Sequence, residues 1–231
     1  MTAVNRRFHP QKIPERSREN PHPDAGVAPR QPAFAAVARA RELPLAAGMP
    51  ARILVIYGTT EGQTAKIAAY MASRLRSTWQ VDLVRAEDAD DVRPDSYAAV
   101  IVAASVHAGG YQRPVRDWVR THAAALGGRW TAFVSVCLAV LEHSEKTDRV
   151  ISDIMERFFA ETSWRPTERK VVAGALPYSK YSWWKRWMMR RIVAKAGGDT
   201  DTSRDYEYTD WNDLAEFVRS VVPRLESHRA S

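Results

Sequence analysis

A single cysteine, Cys137, is present among the 231 residues of this chain. One thiol cannot build an internal disulfide framework, and it cannot supply the paired CxxC ligands of a zinc or iron–sulfur site. His122 and His143 lie at no metal-ligand spacing, and we expect both of them at the surface. The sequence therefore predicts a protein without a metal site that works in a reducing compartment.

No run of apolar residues approaches the roughly 18–20 that a membrane-spanning helix needs. The longest runs, residues 98–106 and 131–141, have the length of buried strands. The amino terminus also lacks the basic-then-apolar pattern of a secretory signal. We expect a cytoplasmic protein, and more specifically one held peripherally on the inner face of the cell membrane.

Positive charge is concentrated in two parts of the chain. Residues 1–50 contribute +4 and residues 179–196 contribute +6 to a net charge of +7, which leaves −3 for the rest. A segment with six basic residues and no acidic one needs an anionic partner or a solvent-facing position. The first of these parts also contains eight of the 13 prolines, without sustained periodicity. We predict a disordered extension over residues 1–48, outside the fold; alternatively, Met49, directly before the first strand, is the true start.

From residue 52 onward, strand and helix patterns alternate. Continuous apolar, β-branched runs predict five buried parallel strands at residues 52–57, 81–84, 98–103, 130–138 and 170–176. Helical patterns separate them, notably at residues 113–126 and 148–162, and a last helix starts at residues 209–211, with a capping residue ahead of Leu214. Alternation of this kind gives right-handed βαβ units. The predicted fold class is therefore α/β, a flavodoxin-like doubly wound five-stranded parallel sheet of order 2-1-3-4-5, within a domain at 49–225 that is followed by a short tail at 226–231.

Ligands of such sheets bind at the carboxyl ends of the strands, so the loops there are the candidate site. The loop after the first strand begins at Gly58 and combines hydroxyls, an amide and a glycine at a helix N-terminus, which suits a phosphate monoester such as that of FMN. It contains neither the GK[ST] of a nucleotide-triphosphatase loop nor a GxGxxG fingerprint. The alternative is a polar turn with Thr64 as the helix cap. The predicted cofactor-binding residues of this loop are Thr59, Thr60, Glu61, Gly62, Gln63 and Thr64.

The loops after the third and fourth strands complete the candidate site. His107 and Tyr111 are able to stack on, or hydrogen-bond to, an isoalloxazine ring, with a surface histidine and a packed tyrosine as the alternatives. Gly109 and Gly110 permit unusual backbone angles near a planar ligand. After the fourth strand, residues 135–138 can supply backbone donors to the pyrimidine edge of a flavin, although Cys137 also fits a buried apolar position. The predicted residues of these two loops are Ser105, Val106, His107, Gly109, Gly110, Tyr111, Val136, Cys137 and Leu138.

An insertion at residues 177–208 precedes the last helix, and its aromatic and basic residues do not separate into two faces. Such a segment suits a membrane surface or a lipid-soluble quinone, and equally the carboxylates of an anionic substrate. Nucleic-acid binding and a helix packed on the body are the alternatives, and no nucleic-acid partner is expected. The candidates for substrate or membrane contact are Lys180, Trp183, Trp184, Lys185, Arg186, Trp187, Arg190 and Arg191.

Residues 52–218 resemble the bacterial quinone-dependent, flavodoxin-like protoporphyrinogen IX dehydrogenases. The resemblance rests on TTEGQT (59–64), ASVHAGGY (104–111), SWRP (163–166), VAGAL (172–176), GGDTDT (197–202) and YTDW (208–211). It departs from the family pattern at Gly58, where that pattern often has Ser. The resemblance implies non-covalent FMN, removal of six electrons from protoporphyrinogen IX, and a membrane quinone (menaquinone or ubiquinone) as acceptor, in haem biosynthesis. The flavin carries the redox chemistry, and no general base is singled out.

Three other functions are compatible with the same residues. A flavodoxin-like electron carrier shares the fold, but such carriers are usually strongly acidic, unlike residues 179–196. An NAD(P)H:quinone reductase would share the cofactor and the acceptor. A membrane- or nucleic-acid-binding module would use the basic segment alone.

Overall fold

The computed structural model describes residues 11–12, 52–142, 144–176 and 205–230. Its strands are β1 (Gln11–Lys12), β2 (Arg52–Gly58), β3 (Gln80–Arg85), β4 (Ala99–Ser105), β5 (Trp130–Val136), β6 (Glu168–Val172), β7 (Ala175–Leu176) and β8 (Tyr206–Glu207). Its α-helices are α1 (Gln63–Leu75), α2 (Arg113–Thr121), α3 (Ala123–Gly127), α4 (Glu145–Thr162) and α5 (Trp211–Ala230). Short 3₁₀ turns span Ala86–Asp88, Pro94–Ser96 and Leu138–Glu142.

The main sheet is parallel throughout and has the order β3-β2-β4-β5-β6. Counted within this sheet alone, the order is 2-1-3-4-5, which confirms the predicted flavodoxin-like fold class. Alternate residues of each strand face opposite layers of helix, as the two-residue period of a strand requires. Ile53 and Val55 pack with α1 and α5, whereas Leu54 and Ile56 pack with α2 and α4. Because helices cover both faces, these strands read as continuous apolar runs rather than alternating ones.

Two predicted elements are interrupted. The predicted strand 170–176 stops at Val172, and its last residues join a separate antiparallel sheet of order β1-β8-β7. The break occurs because the Gly174 carbonyl accepts from the Tyr208 amide at 3.1 Å, so the returning chain takes over the backbone pairing. The predicted helix 113–126 divides into α2 and α3 at His122, whose φ is −109°.

His122 is buried, and the prediction that it lies at the surface is wrong. Its Nδ1 is 2.8 Å from the Trp118 carbonyl oxygen. Its ring lies 4.7 Å from the Trp118 ring, at a tilt of 34°. The imidazole therefore packs as part of the helix junction. His143, the other histidine expected at the surface, lies outside the described residues.

Candidate functional site

The loop between β2 and α1 is a tight turn closed by its own side chain. Gly62 has a φ of 102°, a left-handed conformation that favours glycine. Its amide donates to Thr59 Oγ1 at 2.9 Å. The first intrahelical bond of α1 runs from the Lys66 amide to the Gly62 carbonyl at 3.2 Å, and no side chain caps the helix. The amides of the first turn and the positive end of the helix dipole are therefore directed at the loop, as an anion-binding site requires.

The Thr64 hydroxyl is the most informative atom of this loop. The side chain is 1% exposed, and its Oγ1 makes no hydrogen bond to any residue that the structure describes. It does not cap α1, so the structural role that the sequence left open for it is not the one observed. A buried hydroxyl without a partner costs about 1–3 kcal/mol. An oxygen of a bound phosphate would supply the missing partner, so the residues present fit a phosphate monoester at this loop.

Two further side chains tie the loop to its surroundings, and neither tie was predicted. The Gln63 amide, expected to face the phosphate, donates to Thr209 Oγ1 at 2.8 Å. The Gln112 amide donates to Ser105 Oγ at 2.5 Å and to Thr60 Oγ1 at 3.3 Å, linking the loops after β2 and β4. Sequence reasoning placed Thr209 in the YTDW motif and at the start of the last helix, and it did not include Gln112 among the site residues.

The loop after β4 is a small hairpin that projects from the carboxyl edge of the sheet. The His107 amide donates to the Gly110 carbonyl at 2.7 Å, and the Gly110 amide returns a bond to the His107 carbonyl at 3.0 Å. The positive φ angles of this hairpin are at Ala108 (47°) and Gly109 (78°). The unusual backbone expected at Gly110 is therefore at Ala108 instead. The exposed His107 side chain is in a position to contact a ligand at this edge.

Tyr111 is packed into the core rather than presented at the surface. Its hydroxyl lies 2.8 Å from Ser135 Oγ, and its ring meets those of Phe133 and Phe158 at centroid distances of 5.0 Å. Burial raises the pKa of the phenol above its ordinary value. The packing alternative describes the position of this ring, and a role at a bound ligand stays a prediction.

The first residue after β5, Cys137, is also hydrogen-bonded within the fold. The Cys137 amide donates to the Val172 carbonyl at 2.9 Å, so it is not a free donor for a ligand in this conformation. The Val106 amide is likewise bonded, to the Val136 carbonyl at 2.9 Å. Burial raises the pKa of the Cys137 thiol, although the Ala139 and Val140 backbone partly opposes the shift. Cys137 therefore occupies the buried position that its sequence context allowed.

The two ends of the insertion lie at the same edge of the sheet as the candidate site. Leu176 pairs with Tyr206 and Ala175 with Glu207, so the chain leaves and returns through one antiparallel ribbon. The Glu207 carboxylate bonds to Lys66 of α1 at 3.1 Å and accepts from Trp211 Nε1 at 2.8 Å. The ribbon is thereby held against the helix that begins at the phosphate loop. The eight candidate residues between Lys180 and Arg191 lie outside the described residues.

Within the described ranges, no group of three or more His, Cys, Asp or Glu side chains is arranged to hold a metal ion. None of the helices in that part of the chain has the length and apolarity to cross a membrane.

Comparisons with known proteins agree with this geometry. A flavodoxin domain family model matches residues 54–203. A protoporphyrinogen IX dehydrogenase (quinone) of Escherichia coli K12 is 33% identical over 172 residues, which cover 74% of this chain and 94% of the relative. The enzyme of the same name from Leishmania major is 30% identical over 188 residues, covering 77% of this chain and 80% of that one.

A solved flavodoxin of Streptococcus pneumoniae is 20% identical, with a TM-score of 0.40, over 52% of this chain and 84% of that one. With so low a TM-score, this similarity adds nothing to the fold assignment, which rests on the order of the strands in the sheet. The family model and the two relatives establish the family of this chain on their own. The chain is a flavodoxin-domain oxidoreductase and belongs to the quinone-dependent protoporphyrinogen IX dehydrogenase family.

Proposed function

We propose that this protein oxidises protoporphyrinogen IX to protoporphyrin IX with FMN as its cofactor and a membrane quinone, menaquinone or ubiquinone, as electron acceptor. The observation that carries the proposal is the phosphate loop. It places a buried, unpartnered Thr64 hydroxyl in the first turn of α1, in a chain whose relatives bear this enzyme name.

The loop would hold the FMN phosphate without a cation of its own. Residues 58–64 contain no lysine or arginine, and the nearby Lys66 is paired with Glu207. The negative charge would instead be stabilised by the helix dipole and by several donors. Thr59 and Thr60 accept hydrogen bonds from Gly62 and Gln112, so their own hydroxyl hydrogens can be donated to phosphate oxygens. Thr64 would add a third hydroxyl donor from the helix.

The ring of FMN would lie along the carboxyl edge of the sheet, between the hairpin after β4 and the segment after β5. The hairpin is fixed there by the Gln112 bonds and by the Val106 amide. When bound, FMN accepts electrons from a reduced substrate and passes them to an acceptor. The protein's part is to bind and orient the cofactor, and no side chain is assigned as a general acid or base.

The insertion would supply contacts for the substrates. Its two ends meet in the ribbon beside the loop, and residues 179–196 contain six basic residues and no acidic one. These basic residues would pair with porphyrin propionates or with anionic lipid headgroups, and the three tryptophans suit a membrane interface. We therefore propose peripheral attachment to the inner face of the membrane, where the quinone is dissolved, and a role in haem biosynthesis.

The test is anaerobic oxidation of protoporphyrinogen IX by the FMN-loaded protein, followed by porphyrin fluorescence. We expect repeated turnover with menadione as the acceptor and only sub-stoichiometric product without it. Heat-denatured protein with the same FMN is the control for uncatalysed oxidation. Oxidation of NADH by menadione in preference to protoporphyrinogen would instead identify an NAD(P)H:quinone reductase. Turnover that requires a protein partner would identify an electron carrier.

A further inference from the structure

The Gln112 side chain joins the two described loops that follow β2 and β4. Its amide nitrogen, Nε2, donates to Ser105 Oγ at 2.5 Å and to Thr60 Oγ1 at 3.3 Å. We propose that Gln112 is a positioning residue that presents both hydroxyls to FMN as hydrogen-bond donors, and that it thereby contributes to the preference of the site for FMN over riboflavin. This inference rests on the proposed function, because it takes FMN as the ligand of the loop.

Gln112 does not use its side chain for the helix that it precedes. It is the N-cap residue of α2, and its carbonyl accepts from the Arg116 amide at 3.1 Å, but its side chain makes no capping bond. Side chains that cap helices are usually those of Ser, Thr, Asp or Asn, whose oxygen reaches the amides of the first turn. The longer Gln112 side chain is directed instead to the phosphate loop.

The absence of a side chain at Gly58 gives Gln112 its path to that loop. A Cβ at Gly58 would lie 3.2 Å from Gln112 Oε1 and 3.3 Å from Gln112 Cβ, so Gln112 packs directly against the backbone where β2 ends. Gly58 is also paired with Ala104 of the neighbouring strand β4. One amide group at this point can therefore reach the residues that follow on both strands.

The direction of the two bonds determines what the hydroxyls can do. A hydroxyl has one hydrogen to donate and accepts through its lone pairs, whereas an amide nitrogen only donates. Thr60 and Ser105 accept from Gln112, so each hydroxyl keeps its hydrogen for another acceptor. Thr60 is exposed, and its hydrogen would be donated to a phosphate oxygen. Ser105 would donate to the ribityl chain, which FMN and riboflavin share.

The other end of the amide separates this role from a role in stability. Gln112 Oε1 is buried and makes no hydrogen bond to any residue that the structure describes. A buried carbonyl without a partner destabilises a fold. An apolar side chain of similar shape would remove this destabilising group together with the two bonds, so the net effect on folding should be small. Effects on ligand binding can therefore be measured in a folded variant.

The experiment measures the dissociation constants of FMN and riboflavin by quenching of flavin fluorescence, with urea unfolding of each apoprotein as the test of folding. Gln112→Met removes both bonds at similar length. Gln112→Glu keeps the shape but replaces the donor with an acceptor and adds a negative charge. The matched control is Gln80→Glu, which makes the same change at an exposed position where β3 begins, at the opposite edge of the sheet.

We expect Gln112→Met to weaken FMN binding about tenfold and riboflavin binding at most about threefold, because only FMN loses the Thr60 contact. Gln112→Glu should weaken FMN binding at least about 100-fold, since the carboxylate consumes the hydroxyl hydrogens and repels the phosphate. In a Thr60→Val background, Gln112→Met should weaken FMN binding only about threefold further, because the hydroxyl that it orients is gone. Gln80→Glu should bind both compounds like the wild type.

Equal losses of FMN and riboflavin affinity in the Gln112 variants would show a purely structural role and overturn the inference. Wild-type FMN affinity in Gln112→Met, or in Gln112→Glu, would overturn it as well, the second because the amide would then act as an acceptor. If Gln112→Glu fails to fold, Gln112→Met and its combination with Thr60→Val test the same bonds. In all these cases FMN binding by the wild-type protein, and with it the proposed function, is unaffected. Failure of the wild-type protein to bind FMN would overturn both.

Discussion

The junction of Gly58 with α2 provides a prediction that the structure makes quantitative. Gly58 ends β2 directly before the phosphate loop. A Cβ added there would lie 2.4 Å from Val115 Cγ2, 3.2 Å from Gln112 Oε1 and 3.3 Å from Gln112 Cβ. Val115 is fully buried on the first turn of α2, and a β-branched side chain in a helix has one strongly preferred rotamer. The added methyl therefore has to push α2 away from the sheet.

We predict that Gly58→Ala lowers the free energy of unfolding by about 1–2 kcal/mol. Overpacking of a core costs about 1–3 kcal/mol. Loss of glycine's freedom in the unfolded chain offsets about 0.4–1 kcal/mol of that cost. For a chain of this size, the melting temperature should fall by about 5 °C.

The assay is urea unfolding followed by circular dichroism, in a double-mutant cycle with Val115→Ala. Val115→Ala alone should destabilise by about 2 kcal/mol, since it deletes two buried methyl groups. In the double variant the new methyl fills part of that space, so the loss should be smaller than the sum by about 1–2 kcal/mol. The matched control is Gly127→Ala, whose Cβ meets nothing within 4 Å and should cost nothing. Wild-type stability in Gly58→Ala, or strict additivity in the cycle, would refute the reasoning.

Three further predictions concern the site. Thr64→Val removes a buried hydroxyl that has no partner, so the apoprotein should be as stable as the wild type or more stable. The same variant should bind FMN about tenfold more weakly. An unchanged FMN dissociation constant would contradict the role of this hydroxyl as a phosphate donor. Tyr111→Phe deletes the bond to Ser135 and should cost about 1–2 kcal/mol in urea unfolding; unchanged stability would contradict the structural role of that bond, and the FMN dissociation constant of the same variant tests whether the phenol also contacts the ligand. Cys137 is buried with a raised thiol pKa, so less thiolate is present at pH 8 and Ellman's reagent should react slowly with native protein and rapidly in urea; rapid native reaction would contradict the burial.

The sheet and its helices follow from local patterns, which is why the sequence predicts them well. In α1 the apolar positions at Ile67, Ala68, Met71 and Leu75 recur at helical spacing, and all four are buried against the sheet. The cap of α5 is equally local, since Asp210 Oδ1 accepts from the amides of the two residues after Trp211. Helical periodicity and helix caps can be recognised from residues that are close together in the sequence.

Where the structure differs from the sequence predictions, the difference depends on residues that are distant in sequence. The run 170–176 reads as one strand, but its division after Val172 is imposed by Tyr208 and Thr209, more than 30 residues later. The site shows the same limit. The phosphate loop is recognisable from its hydroxyls and its place after a strand, whereas the Gln112 bonds to Ser105 and Thr60 exist only once the loops after β2 and β4 have been brought together.

The claim that the loop after β2 binds the phosphate of FMN is tested most directly by comparing FMN with riboflavin, which differs by that phosphate alone. Calorimetric titration of the apoprotein should give stoichiometric FMN binding. Riboflavin should bind at least about 100-fold more weakly, because charge-assisted bonds to Thr64 and the helix amides are lost. Equal affinities for the two compounds, or no binding of either, would contradict the account.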